Sequence, residues 1–260
     1  MDIDFGKTAQ DYARYRAGFP DELFTRLADR GIGAAGQRVL DLGTGTGTLG
    51  RGFARRGCSV TGLDPSESLL AQAKPLDREV GVSTKYVVAK AEQTGLPDAS
   101  FDVVTAGQCW HWFDRLKAAQ EVRRLLVPHG WLVIAHFDWI SLPANVVEAT
   151  EKLIEQHNSE WKLGGGRGMY PRWLTDVAIA GFQNIETFSF DVFTPYSHEA
   201  WRGRIRASAG VAASLSSEQV THFDTALKQL LQERFPTDPL AVHHRVFAVI
   251  CQTPPEALSH

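Results

Sequence analysis

The sequence predicts an α/β fold in which parallel strands are joined by crossover helices. Three observations support this prediction. Short apolar runs alternate with helical stretches through the first half of the chain, a glycine-rich loop follows the first run, and an acidic residue ends the second. A chain of 260 residues that is 43% hydrophobic can bury a sizeable core. We therefore expect one globular α/β domain.

Five apolar, β-rich runs in the first half are predicted to be strands. They are RVLDLG (38–43), SVTGLD (59–64), KYVVAKA (85–91), FDVVTAG (101–107) and WLVIAHF (131–137). Between them we expect a helix opened by the glycines, a second helix starting at Pro65-Ser66, and a third over residues 114–126. Pro128-His129-Gly130 is expected to end the third helix.

The pattern changes after residue 140. Helices are predicted near 143–158 and 171–180 and from 197 to 234, and strands in NIETFSFDVF (184–193) and HRVFAVICQ (244–252). Both late strands alternate apolar and polar residues, which is typical of a sheet edge or an antiparallel pair. The glycine-rich LGGGRG (163–168) has no strand before it, so we interpret it as a mobile connection or lid rather than a phosphate-binding loop.

Charge and composition make several function classes poor first hypotheses. The net charge of −3, with no block of five like charges, does not favour nucleic acid as a partner. The sequence has no signal-peptide-type run and no stretch of ~18 uninterrupted apolar residues, so we expect a cytoplasmic protein with no membrane partner. Cys58, Cys109 and Cys251 are widely spaced and expected to be reduced thiols. No histidine pair has metal-ligand spacing with a carboxylate, so no metal is predicted.

The stretch VLDLGTGTGTLG (39–50) fits two binding motifs. From Gly45 it has the form G-x-G-x-x-G, the dinucleotide fingerprint, and from Asp41 the form D-x-G-x-G-x-G. In both, glycines let the backbone approach a ligand, and Asp64 at the end of the second strand is placed to hold a ribose. Asp41 distinguishes the two motifs, because a carboxylate there would repel a pyrophosphate and favour a ligand that brings an ammonium group. S-adenosylmethionine is such a ligand.

Together with TGLDPSESLLAQAK (61–74) and AEQTGLPDASFDVVTAGQCWHWFD (91–114), this motif resembles the class I S-adenosylmethionine-dependent methyltransferases. The branch is the one that includes small-molecule enzymes such as the trans-aconitate methyltransferases. The resemblance covers residues 5–140 with specific motifs and the rest more loosely. It implies a Rossmann-like, doubly wound sheet of seven strands, mostly parallel with the last antiparallel, with helices on both faces and a helical insertion over the active site.

The resemblance also implies how a single domain over residues 1–260 is organised. Residues 1–30 would cover the cofactor, 36–140 would form the cofactor-binding core, 141–235 would supply substrate-side helices and one strand, and 236–260 the final strand and tail. In the first segment, Arg16 is expected to hold the methionine carboxylate and Tyr12 to lie along the ligand. The alternative is that Tyr12 packs and Arg16 is a surface charge.

The implied cofactor is S-adenosylmethionine, with its methionine end at the glycine motif and its ribose at Asp64. Ser66 is equally expected as a ligand contact or as a helix N-cap. Lys90 stands where many relatives have an aspartate near the adenine, which leaves the Ala91 backbone and the Glu92 carboxylate as alternatives. The predicted cofactor residues are Tyr12, Arg16, Asp41, Gly43, Thr44, Gly45, Gly47, Asp64, Pro65, Ser66, Ala91, Glu92, Gly107 and Gln108.

The aromatic run QCWHWF (108–113) follows the fourth strand, at the carboxyl end of the sheet where open α/β folds bind ligands. His111 is the candidate general base, because histidine titrates near neutrality, although it could instead pack and a carboxylate acceptor needs no base. Arg206 with Ser208 is a candidate anion site, whereas Arg202 and Arg204 are expected on the solvated face. The alternative is that the whole segment is an ordinary basic helix surface. The predicted substrate residues are Trp110, His111, Trp112, Trp139, Arg206 and Ser208.

The sequence therefore predicts transfer of a methyl group to a small molecule by O- or N-methylation, with a carboxylate or an aromatic metabolite as candidate acceptor. The protein is expected to work as a monomer or homodimer. Two alternatives stay open. One is an NAD(P)-dependent oxidoreductase, which would need a Tyr-x-x-x-Lys pair or a hydride-site histidine. The other is a non-catalytic S-adenosylmethionine-binding regulator, which Lys90 favours and Asp41 and Asp64 oppose.

Overall fold

The computed structural model describes residues 15, 17–212 and 214–255, so Tyr12 and Arg16 lie outside the described residues. Helices and strands alternate through most of the described chain. In order they are α1 (Asp21–Ala28), β1 (Arg38–Leu42), α2 (Thr48–Ala54), β2 (Ser59–Asp64), α3 (Glu67–Glu79), β3 (Lys85–Val88), β4 (Phe101–Gly107), α4 (Arg115–Leu125), β5 (Leu126–Trp139), α5 (Val146–His157), α6 (Arg172–Ile179), β6 (Gln183–Tyr196), α7 (His198–Arg206), α8 (Ser217–Arg234) and β7 (Leu240–Gln252).

The strands form one sheet of seven in the order β3-β2-β1-β4-β5-β7-β6. β1 pairs in parallel with β2 and β4, and the pairs β2–β3 and β4–β5 are also parallel. β7 runs antiparallel to β5, because the Thr253 N–H donates to the Gly130 carbonyl while the Ile140 N–H donates to the His243 carbonyl. The predicted mostly parallel, doubly wound sheet with an antiparallel last strand is confirmed.

Two regions are more detailed than the sequence-based expectation. α4 ends at Leu125, before Pro128-His129-Gly130, and β5 begins at once at Leu126, so these three residues lie within β5 where its pairing with β4 shifts between Phe101 and Val103. The predicted helical region 197–234 consists of two helices. Ser216 begins the second with a capping box, in which its side chain accepts from the Gln219 N–H and the Gln219 side chain accepts from the Ser216 N–H.

The described residues divide into two compact units, each built from separated segments. The major unit comprises residues 18–137, 170–189 and 246–255, and the minor unit comprises 15, 17, 138–169 and 190–245. The change of unit at 137–138 lies near the predicted border at 140. The return of the chain to the major unit at 170–189 has no counterpart in the sequence-based division, and the predicted single domain with its internal boundaries stays a prediction.

Each unit has its own apolar core. In the major unit, β1, β4, β5 and β7 contribute buried aliphatic residues that pack with one face of α4 and with Trp173 and Val177 of α6. In the minor unit, Trp201 and Phe223 are fully buried among aliphatic residues of α5, α7 and α8. Among the described residues, no helix combines the length and apolar character needed to cross a membrane.

A close contact between α1 and α2 generates a test of packing. The Phe24 ring lies directly over Gly52, where an added Cβ would overlap it, and packs edge-on against Phe53 at 5.2 Å between ring centroids. Glycine in a helix ordinarily costs about 1 kcal/mol relative to alanine, whereas overpacking a core costs roughly 1–3 kcal/mol.

We therefore expect Gly52→Ala to lower the free energy of unfolding, measured by urea denaturation, although helix propensity alone would raise it. The same change in a Phe24→Leu background should cost less, because the smaller side chain leaves room for the added methyl group. A Gly52→Ala protein more stable than the parent would contradict the packing argument.

Candidate functional site

The glycine loop between β1 and α2 follows the tight course expected from its motif. Gly43 and Gly45 have φ values of +57° and +55°, in the left-handed region that favours glycine. A Cβ at Gly43 would lie 2.8 Å from the Cys109 Cβ and Sγ atoms, whereas a Cβ at Gly45 would meet nothing within 4 Å. Gly43 is thus required by packing, and Gly45 faces open space in which a ligand can approach the backbone.

Asp41, at the end of β1, is held behind this loop. Its side chain is 1% exposed and accepts from the Thr44 hydroxyl at 2.6 Å, the Thr105 hydroxyl at 2.7 Å and the Gly50 N–H at 3.0 Å. Burial raises the pKa of the Asp41 carboxyl, and the three hydrogen bonds act in the opposite direction. The carboxylate therefore joins the loop, β4 and α2 rather than facing a ligand directly.

Asp64, at the end of β2, lies on the other side of the loop. One carboxylate oxygen accepts from the Gly45 N–H at 2.9 Å and the other from the Ser66 N–H at 2.8 Å. Burial raises the pKa of this carboxyl as well. A carboxylate offers about four acceptor positions, so each oxygen keeps one for a further donor. Ser66 is the N-cap of α3, its hydroxyl accepting from the Leu69 N–H, while Pro65 is exposed.

A buried polar network supports the loop from below. Asp77 of α3 accepts from Arg51 Nε at 2.8 Å and from the Tyr86 hydroxyl at 2.8 Å, and Arg51 donates to the Thr46 carbonyl at 2.7 Å. Tyr86 and Lys90 have the Tyr-x-x-x-Lys spacing of some oxidoreductases. However, the Tyr86 hydroxyl is committed to Asp77, and burial raises its pKa well above the ordinary value, so it is not a proton donor for hydride chemistry.

The segment expected to contact the adenine lies after β3. Ala91 is 3% exposed, and Lys90 is exposed, as expected for a side chain in solvent. Glu92 accepts from the Asp114 N–H at 2.9 Å, so its carboxylate is engaged at the start of α4. The Ala91 backbone is the candidate that this geometry favours.

The end of β4 lies beside the glycine loop. Gln108 has a φ of +60°, and its N–H donates to the Ala135 carbonyl of β5. Cys109 donates from Sγ to the Leu42 carbonyl at 3.1 Å. These contacts tie the chain after Gly107 to the strands on both sides, so its course past the loop is fixed.

The aromatic run divides into a buried and an exposed part. Trp110 is fully buried, with its Nε1 donating to Asp176, which also accepts from Arg115 Nε at 2.8 Å. Trp110 therefore anchors α6 in the core, and its predicted place among the substrate residues is corrected. His111 is exposed and Trp112 is 47% exposed, with their ring centroids 4.5 Å apart.

A second aromatic group, which the sequence-based prediction missed, lies next to His111. The His136 ring of β5 is 5.2 Å from that of His111, and its Nδ1 is 3.1 Å from the Tyr170 hydroxyl. The Tyr170 and Trp173 rings stack at 4.1 Å with an interplanar angle of 5°. His136 is the polar residue within the apolar run WLVIAHF (131–137), at the carboxyl end of the strand beside β4, and this position was the available signal.

The remaining predicted substrate residues are in the minor unit. Trp139 is half-buried and its Nε1 donates to Glu151 at 2.9 Å. Arg206 is ion-paired with Asp224 at 2.8 Å, which replaces its predicted role in binding an anion with a structural one. Ser208 is 9% exposed, and its hydroxyl has no hydrogen-bond partner among the described residues.

Residues 40–134, which include the loop, both carboxylates and the aromatic run, match the family described as the methyltransferase domain. The chain therefore contains a segment that matches the methyltransferase domain family. Among the described residues, no group of three or more His, Cys, Asp or Glu side chains could hold a metal ion.

Similar proteins match parts of this chain. An uncharacterised methyltransferase of Mycobacterium tuberculosis is 37% identical over 132 residues, 51% of either chain. The malonyl-(acyl-carrier protein) O-methyltransferase of Enterobacter lignolyticus is 36% identical over 143 residues, 54% of either chain. The chain thus spans about half the length of the curated relatives it matches. Haemonchus contortus phosphoethanolamine N-methyltransferase 2 has the same fold, with a TM-score of 0.58, 22% identity, and coverage of 98% of this chain and 60% of that one.

The three donors around Asp41 generate a prediction about the stability of the chain. In Asp41→Asn, the new side-chain NH2 group is a donor and would face the donors that now surround Asp41, where it would need an acceptor. We expect the free energy of unfolding to fall by about 2–3 kcal/mol in urea denaturation, because a hydrogen bond to a charged group is lost and a buried donor is left unpaired.

Thr105→Val is the matched control. It removes one of the three donors, replaces it with a side chain of similar shape, and keeps the charge of Asp41. It should cost less than Asp41→Asn. If Asp41→Asn were as stable as the parent, the carboxylate would not be committed to the loop.

Proposed function

We propose that the chain binds S-adenosylmethionine in its major unit and transfers the methyl group to a small-molecule acceptor. The observation that supports this most directly is the Asp64 carboxylate, which is tied to the Gly45 N–H yet keeps one acceptor position on each oxygen. Two vicinal ribose hydroxyls can donate to such a pair of oxygens. The open space at Gly45 leaves room for the cofactor beside the same backbone.

The other predicted cofactor residues divide by role. Gly43, Thr44, Gly45 and Gly47 would line the methionine end with backbone groups. Asp41 acts on the cofactor by holding the shape of this loop, in place of the direct ammonium contact that the sequence suggested. Residues at or after the ends of β2, β3 and β4 would complete the cofactor site. They are Pro65, Ser66, Ala91, Glu92, Gly107 and Gln108. Tyr12 and Arg16 stay predictions from sequence.

Methyl transfer needs a dry site in which an acceptor lone pair meets the methyl carbon in line with the departing sulfur. S-adenosylmethionine supplies the methyl group on a sulfonium, which leaves as a neutral thioether. Residues of the chain position the acceptor and, for a hydroxyl or ammonium acceptor, remove its proton. We propose His111 as that base and Trp112 as a wall of the acceptor pocket, with His136 and Tyr170 orienting His111.

The acceptor is a small molecule, with a carboxylate or an aromatic metabolite as the candidates. Similar proteins include an O-methyltransferase and an N-methyltransferase, which supports both oxygen and nitrogen as the atoms that receive the methyl group. Trp139 and Ser208 of the minor unit are proposed as further substrate residues. The cytoplasmic location and a monomeric or homodimeric state stay predictions.

The oxidoreductase alternative is disfavoured by the charges at the loop. Two buried carboxylates, Asp41 and Asp64, lie beside the backbone that a pyrophosphate would have to approach, and the Tyr86 hydroxyl is committed elsewhere. The regulator alternative differs from our proposal only in lacking transfer. A tritiated-methyl assay against small acids, phenols and amines separates the two, because a regulator would bind the cofactor without labelling any of them.

Isothermal titration calorimetry with S-adenosylmethionine, its demethylated product and NAD tests the cofactor proposal. We expect the first two to bind and NAD to give no heat. Asp64→Asn should weaken S-adenosylmethionine binding by about tenfold or more, because a hydrogen bond to a charged group is worth ~1.5–3 kcal/mol.

Asp102→Asn is the control for this titration, since Asp102 is a major-unit carboxylate paired with Arg38 at the surface. It should bind the cofactor as the parent does. Absence of binding by both S-adenosylmethionine and its product would refute the proposed function, and binding of NAD alone would favour the oxidoreductase.

His111→Gln tests the general base. With a hydroxyl or amine acceptor, turnover should fall by about 10²-fold or more, as expected when a positioned base is removed, while cofactor affinity is unchanged. His222→Gln, an exposed histidine of α8, should leave turnover unchanged. Unaltered turnover in His111→Gln on the authentic acceptor would contradict a role for this residue as base.

A further inference from the structure

Helix α7 in the minor unit carries three arginines at two-residue spacing. On a helix, residues four apart share a face and the residue midway between them points away. Arg202 and Arg206 both pair with Asp224 of α8, and both also approach Glu199. The positive charge on this face of α7 is therefore compensated within the fold.

Arg204 has different surroundings. Its guanidinium carbon lies 4.8 Å from the centroid of the Trp139 ring, in a cation–π contact. No ion pair joins Arg204 to an acid among the described residues, although Asp138 is near enough to favour its charge. Arg204 is half-buried, and burial lowers the pKa of its guanidinium. Arginine nevertheless stays protonated in proteins.

The groups around Arg204 are otherwise neutral or aromatic. The Tyr196 hydroxyl is close enough to favour the guanidinium charge, yet it forms no hydrogen bond of ordinary geometry within the described part of the chain. His244 stacks on Tyr196 with 5.9 Å between centroids, and burial lowers its pKa to about 4, so it is uncharged at neutral pH. Within the described part of the chain, Arg204 therefore has no ion-pair partner, and Asp138 is the acid that favours its charge.

The aromatic wall beside Arg204 is held rigidly. Trp139 donates from Nε1 to Glu151 and packs edge-on against Trp201 at 5.6 Å. Trp201 is fully buried and donates from its own Nε1 to the Thr150 hydroxyl at 3.1 Å. The flat face of Trp139 and the guanidinium over it are therefore arranged before any ligand arrives, which lowers the ordering cost of binding.

We propose that Arg204, with Trp139 and Tyr196, is an anion-binding site that takes the carboxylate of a small monoanionic acid. A buried charge without an ion pair is unfavourable, and a ligand carboxylate can relieve it through the planar guanidinium fork. One cation near Asp138 suits a monoanion better than a phosphate dianion, whose second charge would stay uncompensated. This assignment stands apart from the proposed cofactor site and holds whether the acid is the methyl acceptor or a separate ligand.

The test measures binding of benzoate, its neutral analogue benzamide and inorganic phosphate at constant ionic strength, by calorimetry and saturation-transfer NMR. We expect benzoate to bind at least about tenfold more tightly than benzamide and more tightly than phosphate. Arg204→Gln should weaken benzoate binding by about tenfold or more, because a charge-assisted hydrogen bond is lost.

Two further variants serve as controls for this test. Arg204→Lys keeps the charge but not the planar fork, and should weaken benzoate binding several-fold in a protein whose circular dichroism is unchanged. Lys152→Gln removes an exposed positive charge from the same unit and should leave binding unchanged. The assignment is overturned if Arg204→Gln binds benzoate as the parent does, if benzamide binds equally well, or if benzoate shows no binding at tens of millimolar.

The source of the carboxylate is settled by adding tritiated-methyl S-adenosylmethionine. An acid that is the methyl acceptor becomes labelled, and the label is lost in Arg204→Gln. An acid that binds at Arg204 without becoming labelled is a separate ligand of the same site. If the protein binds benzoate through Arg204 but binds no S-adenosylmethionine, the proposed function fails while this site remains.

Discussion

The buried carboxylate of Asp41 links three elements of the major unit. Its hydrogen bonds with Thr44, Gly50 and Thr105 join the glycine loop, α2 and β4 near the end of β1. Removing a carboxylate from water is strongly unfavourable unless donors surround it, so each of the three elements must stay in place for the charge to be tolerated. The shape of the loop is consequently set by the fold before a ligand binds. A ligand at the loop can be contacted mostly by backbone groups, because the Asp41 side chain that orders the loop is buried behind it.

Asp64 complements Asp41 at the same loop. Burial is the main cause that raises the pKa of Asp41, and repulsion from Asp64 adds to it. Two like charges near one backbone turn determine what can bind there. A ligand that offers hydroxyl donors or a positive group lowers this repulsion, whereas a pyrophosphate adds to it. The discrimination between two nucleoside-containing cofactors therefore comes from charge, because the glycines alone serve either ligand.

The sheet and the two carboxylates could be predicted because each depends on local pattern: apolar runs form strands, and an acid at a strand end faces the ligand edge. The burial and the contacts of neighbouring side chains could not be predicted in this way. Trp110 and Trp112 are two residues apart, yet one is buried against Asp176 and the other is exposed, because a short 3₁₀ turn over Trp110–Trp112 separates them. His136 was missed because it lies within an otherwise apolar run, and its contacts depend on Tyr170, which lies 34 residues away in sequence.

The arginines of α7 show the same limit and suggest where to look for ligands. Sequence reasoning favours Arg206 as the anion site and expects Arg202 and Arg204 on the solvated face. In the structure, Asp224 on α8 pairs with both Arg202 and Arg206. Arg204 has no such ion pair among the described residues, and a partly buried charge without an ion pair favours an external partner. The position of that partner is then defined by what the fold has already satisfied, and in the minor unit this criterion selects Arg204.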